Sequence, residues 1–190
     1  MDRSTFERRA LEHLDALWRM ARQLARDEQG AADLVQETYL RALRASDRFE
    51  ERAGGLKAWL FRILHNVFFT ELERARRRPI PMEDAGADAA HPGPEPDAEG
   101  PLWNLAGLDW EKVDQRIKVA IARLRPDFRE VLLLWAVEGL KYREIAEVIE
   151  VPIGTVMSRL HRARATLAEE LREVAEERRL GGGSLRCPPI

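Results

Sequence analysis

Apolar residues recur along this chain at helical spacing. Phe6, Ala10, Leu14, Leu17 and Ala21 predict a first helix reaching about Arg26, with Ser4 and Glu7 as a capping box. Trp18, on the edge of that stripe, reads as a core aromatic, and Gln29-Gly30 reads as a turn. Leu34, Val35, Thr38, Ala42 and Leu43 mark a second helix from about Ala31 to Ala45, which leaves Asp33, Gln36, Glu37 and Arg41 mostly outward. Residues 47–55 form a loop, where Gly54-Gly55 permits backbone angles that other residues resist. A third helix, from about Leu56 to Arg78, carries Trp59, Phe61, Phe68 and Phe69 and ends in Arg74, Arg76, Arg77 and Arg78.

The pattern then stops. Residues 79–108 hold six of the ten prolines and six acids with no Lys or Arg. Such a stretch buries too little apolar surface to fold alone and predicts an extended, flexible acidic linker. Leu102, Trp103 and Leu105 are its one apolar patch. A second helical domain is expected over 109–179, with a disordered tail over 180–190. Trp110, Val113, Ile117, Ala120, Ile121 and Leu124 mark its first helix. Pro126 opens a strongly buried segment, with Val131, Leu132, Leu134, Trp135 and Val137, that ends at Gly139. The fold class expected is all-α, two small helical domains joined by that linker.

Residues 142–167 carry the most chemistry. Ile145, Ala146 and Ile149 form one stripe, Val151-Pro152 breaks it, and Val156, Leu160, Ala163 and Leu167 form another. Leu140 and Ile145 are spaced as a hydrophobic staple. This is a helix-turn-helix pattern, whose second helix enters a DNA major groove. Opposite the buried stripe fall Met157, Ser158, His161, Arg162 and Ala165, with Arg159 and Arg164 on the flanks. That face offers donors to base edges and cations to phosphates. The arginines ending the third helix have two readings: they complement its dipole, or with the nearby aromatics they hold single-stranded nucleic acid.

Composition narrows the classes. At 45% hydrophobic and 34% charged, the 190 residues suit a soluble helical protein. The first fifteen residues have no signal-peptide pattern and no apolar run is of spanning length, so a cytoplasmic location without membrane insertion is expected. A single Cys187 excludes an internal disulfide and a cysteine-rich zinc site. The four histidines show no metal spacing, and no catalytic constellation or cofactor motif stands out, so neither enzyme activity nor a cofactor is expected. Net charge is −2, yet residues 1–78 carry 16 basic against 13 acidic groups and residues 109–190 carry 15 against 14. A near-neutral total argues against tight DNA binding by the chain alone, because phosphate contacts supply most of such affinity.

Several segments together resemble the bacterial ECF (extracytoplasmic function) sigma factors of RNA polymerase. Residues 33–39 (DLVQETY) look like the region 2.2 helix, and 58–63 (AWLFRI) with His65-Asn66 look like regions 2.3 and 2.4. Residues 128–132, 142–147, 151–156 and 158–164 look like region 4. The resemblance implies that residues 1–78 form region 2 and residues 109–179 form region 4. It implies that Asp33, Gln36, Glu37 and Arg41 hold the β′ clamp helices of core polymerase. It implies that the loop from Phe49, with Trp59, Ile63 and Asn66, captures an unstacked −10 base, while Arg74, Arg76 and Arg77 hold phosphates. Region 4 is expected to grip the β flap and read the −35 element through Met157, Ser158, His161 and Arg162, with Arg159 and Arg164 beside them. Members of the family are often held by an anti-sigma protein. Two positions depart from the pattern: many members carry Arg or Lys at Met157, and Ser or Thr at Lys141, where the helix cap is expected to be weaker. The rival reading is a stand-alone helix-turn-helix regulator that binds duplex operators without polymerase.

Overall fold

The computed structural model describes residues 2–25, 27–51, 54–77 and 113–172. Eight α-helices and one 3₁₀ turn account for nearly all of these residues, with no strand among them. The helices are α1 (Arg3–Leu11), α2 (Leu14–Leu24), α3 (Glu28–Arg44), α4 (Gly55–Arg77), α5 (Gln115–Arg123), α6 (Pro126–Ala136), α7 (Tyr142–Val148) and α8 (Ile153–Glu170). The 3₁₀ turn, Ser46–Arg48, follows α3. The acidic linker, the Leu102–Leu105 patch, Trp110, the continuation of the last helix toward Arg179 and the tail all lie outside the described residues.

The N-terminal stripe makes two helices where one was expected. The break falls at Glu12-His13, where the His13 amide donates to the Ala10 carbonyl in a tighter turn. It re-phases the apolar face. Ala16, Leu17, Met20, Ala21 and Leu24 go inward, while Leu14 is left 40% exposed. The cap also differs: Asp2, not Ser4, starts α1, its carboxylate accepting from the Thr5 amide at 2.9 Å. Gln29-Gly30 is helical rather than a turn, because Asp27 accepts from the Gly30 amide at 2.7 Å and starts α3 earlier. The stripe of α3 is buried as its spacing predicts, at Leu34, Val35, Thr38 and Ala42. Inside that stripe the Thr38 hydroxyl is satisfied by the Leu34 carbonyl.

α4 is the longest element, 23 residues or about 34 Å. Leu56, Ala58, Leu60, Phe61, Leu64 and Val67 are buried, because α3 and α2 pack on one side of α4 and α7 packs on another. Gly54, at φ +84°, opens it in the left-handed region; a Cβ there would stand 2.6 Å from the Ala58 Cβ. In the second group, Pro126 sits in the first turn of α6, where its missing amide costs nothing. Phe128 and every residue from Glu130 to Ala136 are buried, because α7 and α8 cover one side of α6 and α2 covers another. The two groups therefore pack together, and their buried apolar residues form one continuous cluster.

The helix-turn-helix is α7 and α8. Glu144 accepts from the Lys141 amide at 2.8 Å, half of a capping box, while the Lys141 side chain has no acceptor to complete it. Leu140 and Ile145 are both buried at that end, as a staple requires. α7 ends on Glu150 in the left-handed region (φ 55°), with the Val151 amide donating to the Ala146 carbonyl at 3.1 Å. This is a Schellman-type stop, a position glycine normally fills.

Tyr39 ties α3 to α1: its hydroxyl donates to the Ala10 carbonyl at 2.8 Å, and burial pushes its pKa up to about 12. A raised phenol pKa means stability is fully present below the unfolded value of about 10 and is lost as pH rises through about 12. Tyr39→Phe is expected to cost about 0.5–1.5 kcal/mol at neutral pH. It should also flatten the loss of stability between pH 10 and 12, read by urea denaturation along a pH series.

Candidate nucleic-acid interface

The outward side of α3 is the side that α2 and α4 leave uncovered. Asp33 and Gln36 are exposed, and Glu37 and Arg41 are half-buried. The four do not stand alone: Arg41 donates to Glu37 at 2.7 Å, and Gln29 donates to Asp33 at 2.9 Å. Spacing of four residues makes these pairs along the helix axis. The result is an ordered polar strip with both signs of charge.

Beside the start of α4, three rings meet edge to face. Phe49 and Trp59 lie 5.3 Å apart, and both lie within 6 Å of Phe6. Such pairs hold ring orientation as well as burying area. Sequence spacing placed Phe6 only in the core stripe and did not foresee it as the support of the other two. Trp59, Phe49 and Ile63 are half-buried and packed on the core, while Asn66, two turns beyond Trp59, is exposed. Arg74 is exposed near the end of α4, and Arg76 and Arg77 lie on its last turn. Next to Trp59 lies a cleft of about 290 Å³ lined by Arg48, Glu50, Gly55, Arg62, Glu147 and Val148, among others. That is near the lower end of the roughly 300–1,000 Å³ of small-ligand pockets. It offers one aromatic wall and cations from region 46–62, and its far wall belongs to α7.

On α8 the expected reading face is partly corrected. His161, Arg164 and Ala165 are exposed, and Met157 and Arg162 are half-buried. Ser158 is not on that face: it is only 9% exposed, and its hydroxyl donates to the Thr155 carbonyl. α5, α6 and α7 all pack on α8, so burial extends further round the helix than its leucine stripe suggests. Arg159 is also turned inward, its side chain 18% exposed and 3.9 Å from Asp127. Arg164 stacks its guanidinium over the buried Trp135 ring at 4.2 Å. The indole occupies one face of the guanidinium, and the side chain as a whole remains exposed.

Sequence reasoning missed a set of charged residues between the two helical groups. His65 Nδ1 lies 2.9 Å from Glu130, and Lys57 Nζ lies 2.9 Å from a Glu138 carboxylate oxygen. Arg19 approaches the same carboxylate at 3.3 Å, and Arg62 donates to Glu150 at 2.7 Å. Arg129 donates to the Gln23 carbonyl at the end of α2, where a cation suits the dipole, and burial pushes its pKa down. The partners are 65 to 119 residues apart in the chain, which hides them from any local pattern.

An α7–α8 helix-turn-helix joined to a second helical group with an aromatic- and arginine-bearing helix defines a two-part helical DNA-binding class. The sigma-70 region 2 profile matches residues 10–78 and the sigma-70 region 4 profile matches residues 114–167. The chain is 36% identical to the ECF RNA polymerase sigma factor EcfG of Rhodopseudomonas palustris, over 73% of this chain and 69% of that one. It is 30% identical to the RNA polymerase sigma-H factor of Pseudomonas aeruginosa, over 93% and 91%. It is 31% identical to SigE of Mycolicibacterium smegmatis over 87% of its length, but spans only 61% of that relative. Among solved structures it is similar to the sigma factor RpoE of Bartonella quintana in complex with the anti-sigma factor NepR. There the TM-score is 0.65 and the identity 32%, over 88% of this chain and 97% of that one. The chain belongs to the ECF sigma factors of RNA polymerase. No helix among the described residues is long and apolar enough to cross a membrane.

The Arg164–Trp135 stack makes a local prediction. Arg164→Ala should cost about 0.5–1 kcal/mol, the range for an exposed cation over a ring. The cost should vanish when Trp135 is already Leu, a coupling that a double-mutant cycle in urea measures.

Proposed function

We propose that this chain is an alternative sigma factor that binds core RNA polymerase and directs initiation at its own set of promoters. It does so in the cytoplasm and without enzymatic activity. The observation that carries this reading is the presence, in one chain, of both family regions, with the polar side of α3 outward and the aromatics of α4 half-buried beside it. The strip of Asp33, Gln36, Glu37 and Arg41 docks on the β′ clamp helices. The region 2 side of the cleft beside Trp59, with Phe49 and Ile63 behind it and Asn66 along the helix, takes an extruded base of the −10 element. Extruding a base costs a few kcal/mol, and stacking with edge hydrogen bonds offsets it. Arg74, Arg76 and Arg77 hold the backbone nearby. α8 reads the −35 element, chiefly with Met157, His161 and Arg162, while Arg164 is placed for a phosphate and the β flap holds the same region. An anti-sigma protein is a further partner, supported by the likeness to a sigma factor solved with one.

A stand-alone regulator would use α8 in the same way but gives the α3 strip and the α4 aromatics no task. Run-off transcription with core polymerase over a promoter library tests the proposal. Promoter-specific transcripts that require both proteins support it. Tight duplex binding by the chain alone, with no effect of core, favours the regulator.

Two substitutions test the assigned surfaces. Gln36→Ala combined with Glu37→Lys is expected to abolish co-elution with core polymerase while circular dichroism stays unchanged. Arg162→Ala, titrated as holoenzyme on single-base variants of the −35 element, is expected to flatten preference at one position by about 1–3 kcal/mol. A uniform loss across all variants would instead mark Arg162 as a phosphate contact.

A further inference from the structure

The cleft beside Trp59 has walls of four chemical kinds. Gly55, Ala58, Trp59 and Arg62 line it from one face of the first two turns of α4, at i, i+3, i+4 and i+7. Gly55 leaves the space open: a Cβ there would meet nothing within 4 Å. Trp59 makes an aromatic wall, its ring oriented by edge-to-face contacts with Phe6 at 5.8 Å and Phe49 at 5.3 Å. Val148, 1% exposed, makes an apolar wall from α7. Two cations and two carboxylates complete the lining: Arg48, Arg62, Glu50 and Glu147. Arg62 is already held by Glu150. Arg48 and Glu147 are exposed and come from different helical groups, and neither side chain has a hydrogen bond or ion pair among the described residues.

We propose that this cleft binds a free nucleoside monophosphate whose base carries an amino group: the base stacks on Trp59 opposite Val148, Arg48 and Arg62 hold the phosphate, and Glu147 accepts a hydrogen bond from the amino group. Each part of that ligand answers one part of the lining. An aromatic wall holds any base by its π-face. An unpartnered guanidinium calls for an anion, and phosphate matches its planar fork. An unpartnered carboxylate only accepts, so it selects a base with an amino donor; cytosine has one and uracil has none. A cleft at the lower end of the ligand-pocket range admits one nucleotide, not a run of them. A promoter base and a free nucleotide exclude each other on Trp59; that consequence rests on the function proposed above, and the site itself does not.

The test is isothermal titration of the free full-length chain with CMP, with UMP and with inorganic phosphate. CMP is expected to bind at one site, with UMP about tenfold weaker, the scale of one hydrogen bond to a charged group. Inorganic phosphate should be weaker than either. Arg48→Glu and Glu147→Ala change exposed side chains and should each weaken CMP by about tenfold. Glu147→Ala should also erase the preference over UMP. Trp59→Leu should lose about tenfold or more, the share that stacking supplies. CMP should raise the urea midpoint of the wild type more than that of Arg48→Glu, because a ligand stabilises the form that binds it. CMP bound no more tightly than phosphate, or CMP and UMP bound alike, overturns the inference. So does CMP affinity that is indifferent to Arg48→Glu and Glu147→Ala, which places the nucleotide elsewhere. Should Trp59→Leu lose helix by circular dichroism, the two exposed variants decide. The titration contains neither polymerase nor promoter, so failure of CMP to bind leaves the proposed function standing, and failure of run-off transcription leaves the nucleotide site standing.

Discussion

Glu138 lies between Lys57 and Arg19 with its carboxylate almost entirely removed from water. An isolated charge in that position would cost several kcal/mol, so the position exists only while both cations are present. Much of the architecture follows from that requirement. α6 can be apolar on nearly every side because α2 covers what α7 and α8 leave open, with His65 of α4 against Glu130. α4, in turn, serves two neighbours at once, packing Leu60, Leu64 and Val67 on its own group and presenting Lys57 and His65 to the other.

The helices that were legible in the sequence are those whose apolar stripe meets one neighbouring surface. α3 is the clear case: Leu34, Val35, Thr38 and Ala42 fall on one face, and that face is buried. The break at Glu12-His13 was not legible, since neither proline nor glycine marks it and the stripe runs through it with only a shift in phase. Caps shifted for a related reason. Asp2 and Asp27 compete with Ser4 and with the Gln29-Gly30 dipeptide for the start of a helix, and an ionised side chain is the stronger acceptor. The wheel of α8 misplaced Ser158 because it assumes one covered face, whereas three helices pack around that one.

The candidate surfaces were partly legible for a different reason. The outward position of polar residues such as Gln36, Asn66 and His161 follows from periodicity, and the roles proposed for them come from the family resemblance. What orients them does not. Phe6 behind Trp59, Trp135 under Arg164 and Glu130 against His65 are contacts between distant segments, and only the folded chain brings them together.

The left-handed Glu150 has a consequence for how this turn could vary among related chains. A residue with a Cβ gives up about 1–2 kcal/mol in that conformation, and glycine would not. Yet the carboxylate at that place reaches Arg62 on the other helical group. The turn therefore couples two traits that could otherwise drift independently: the firmness of the helix-turn-helix and its attachment to its neighbour. A relative with glycine here would carry a sturdier helix-turn-helix on a looser tether, and one with asparagine would ease the backbone while giving up the charge. A single side chain thus sets the backbone ease of the turn against its hold on Arg62.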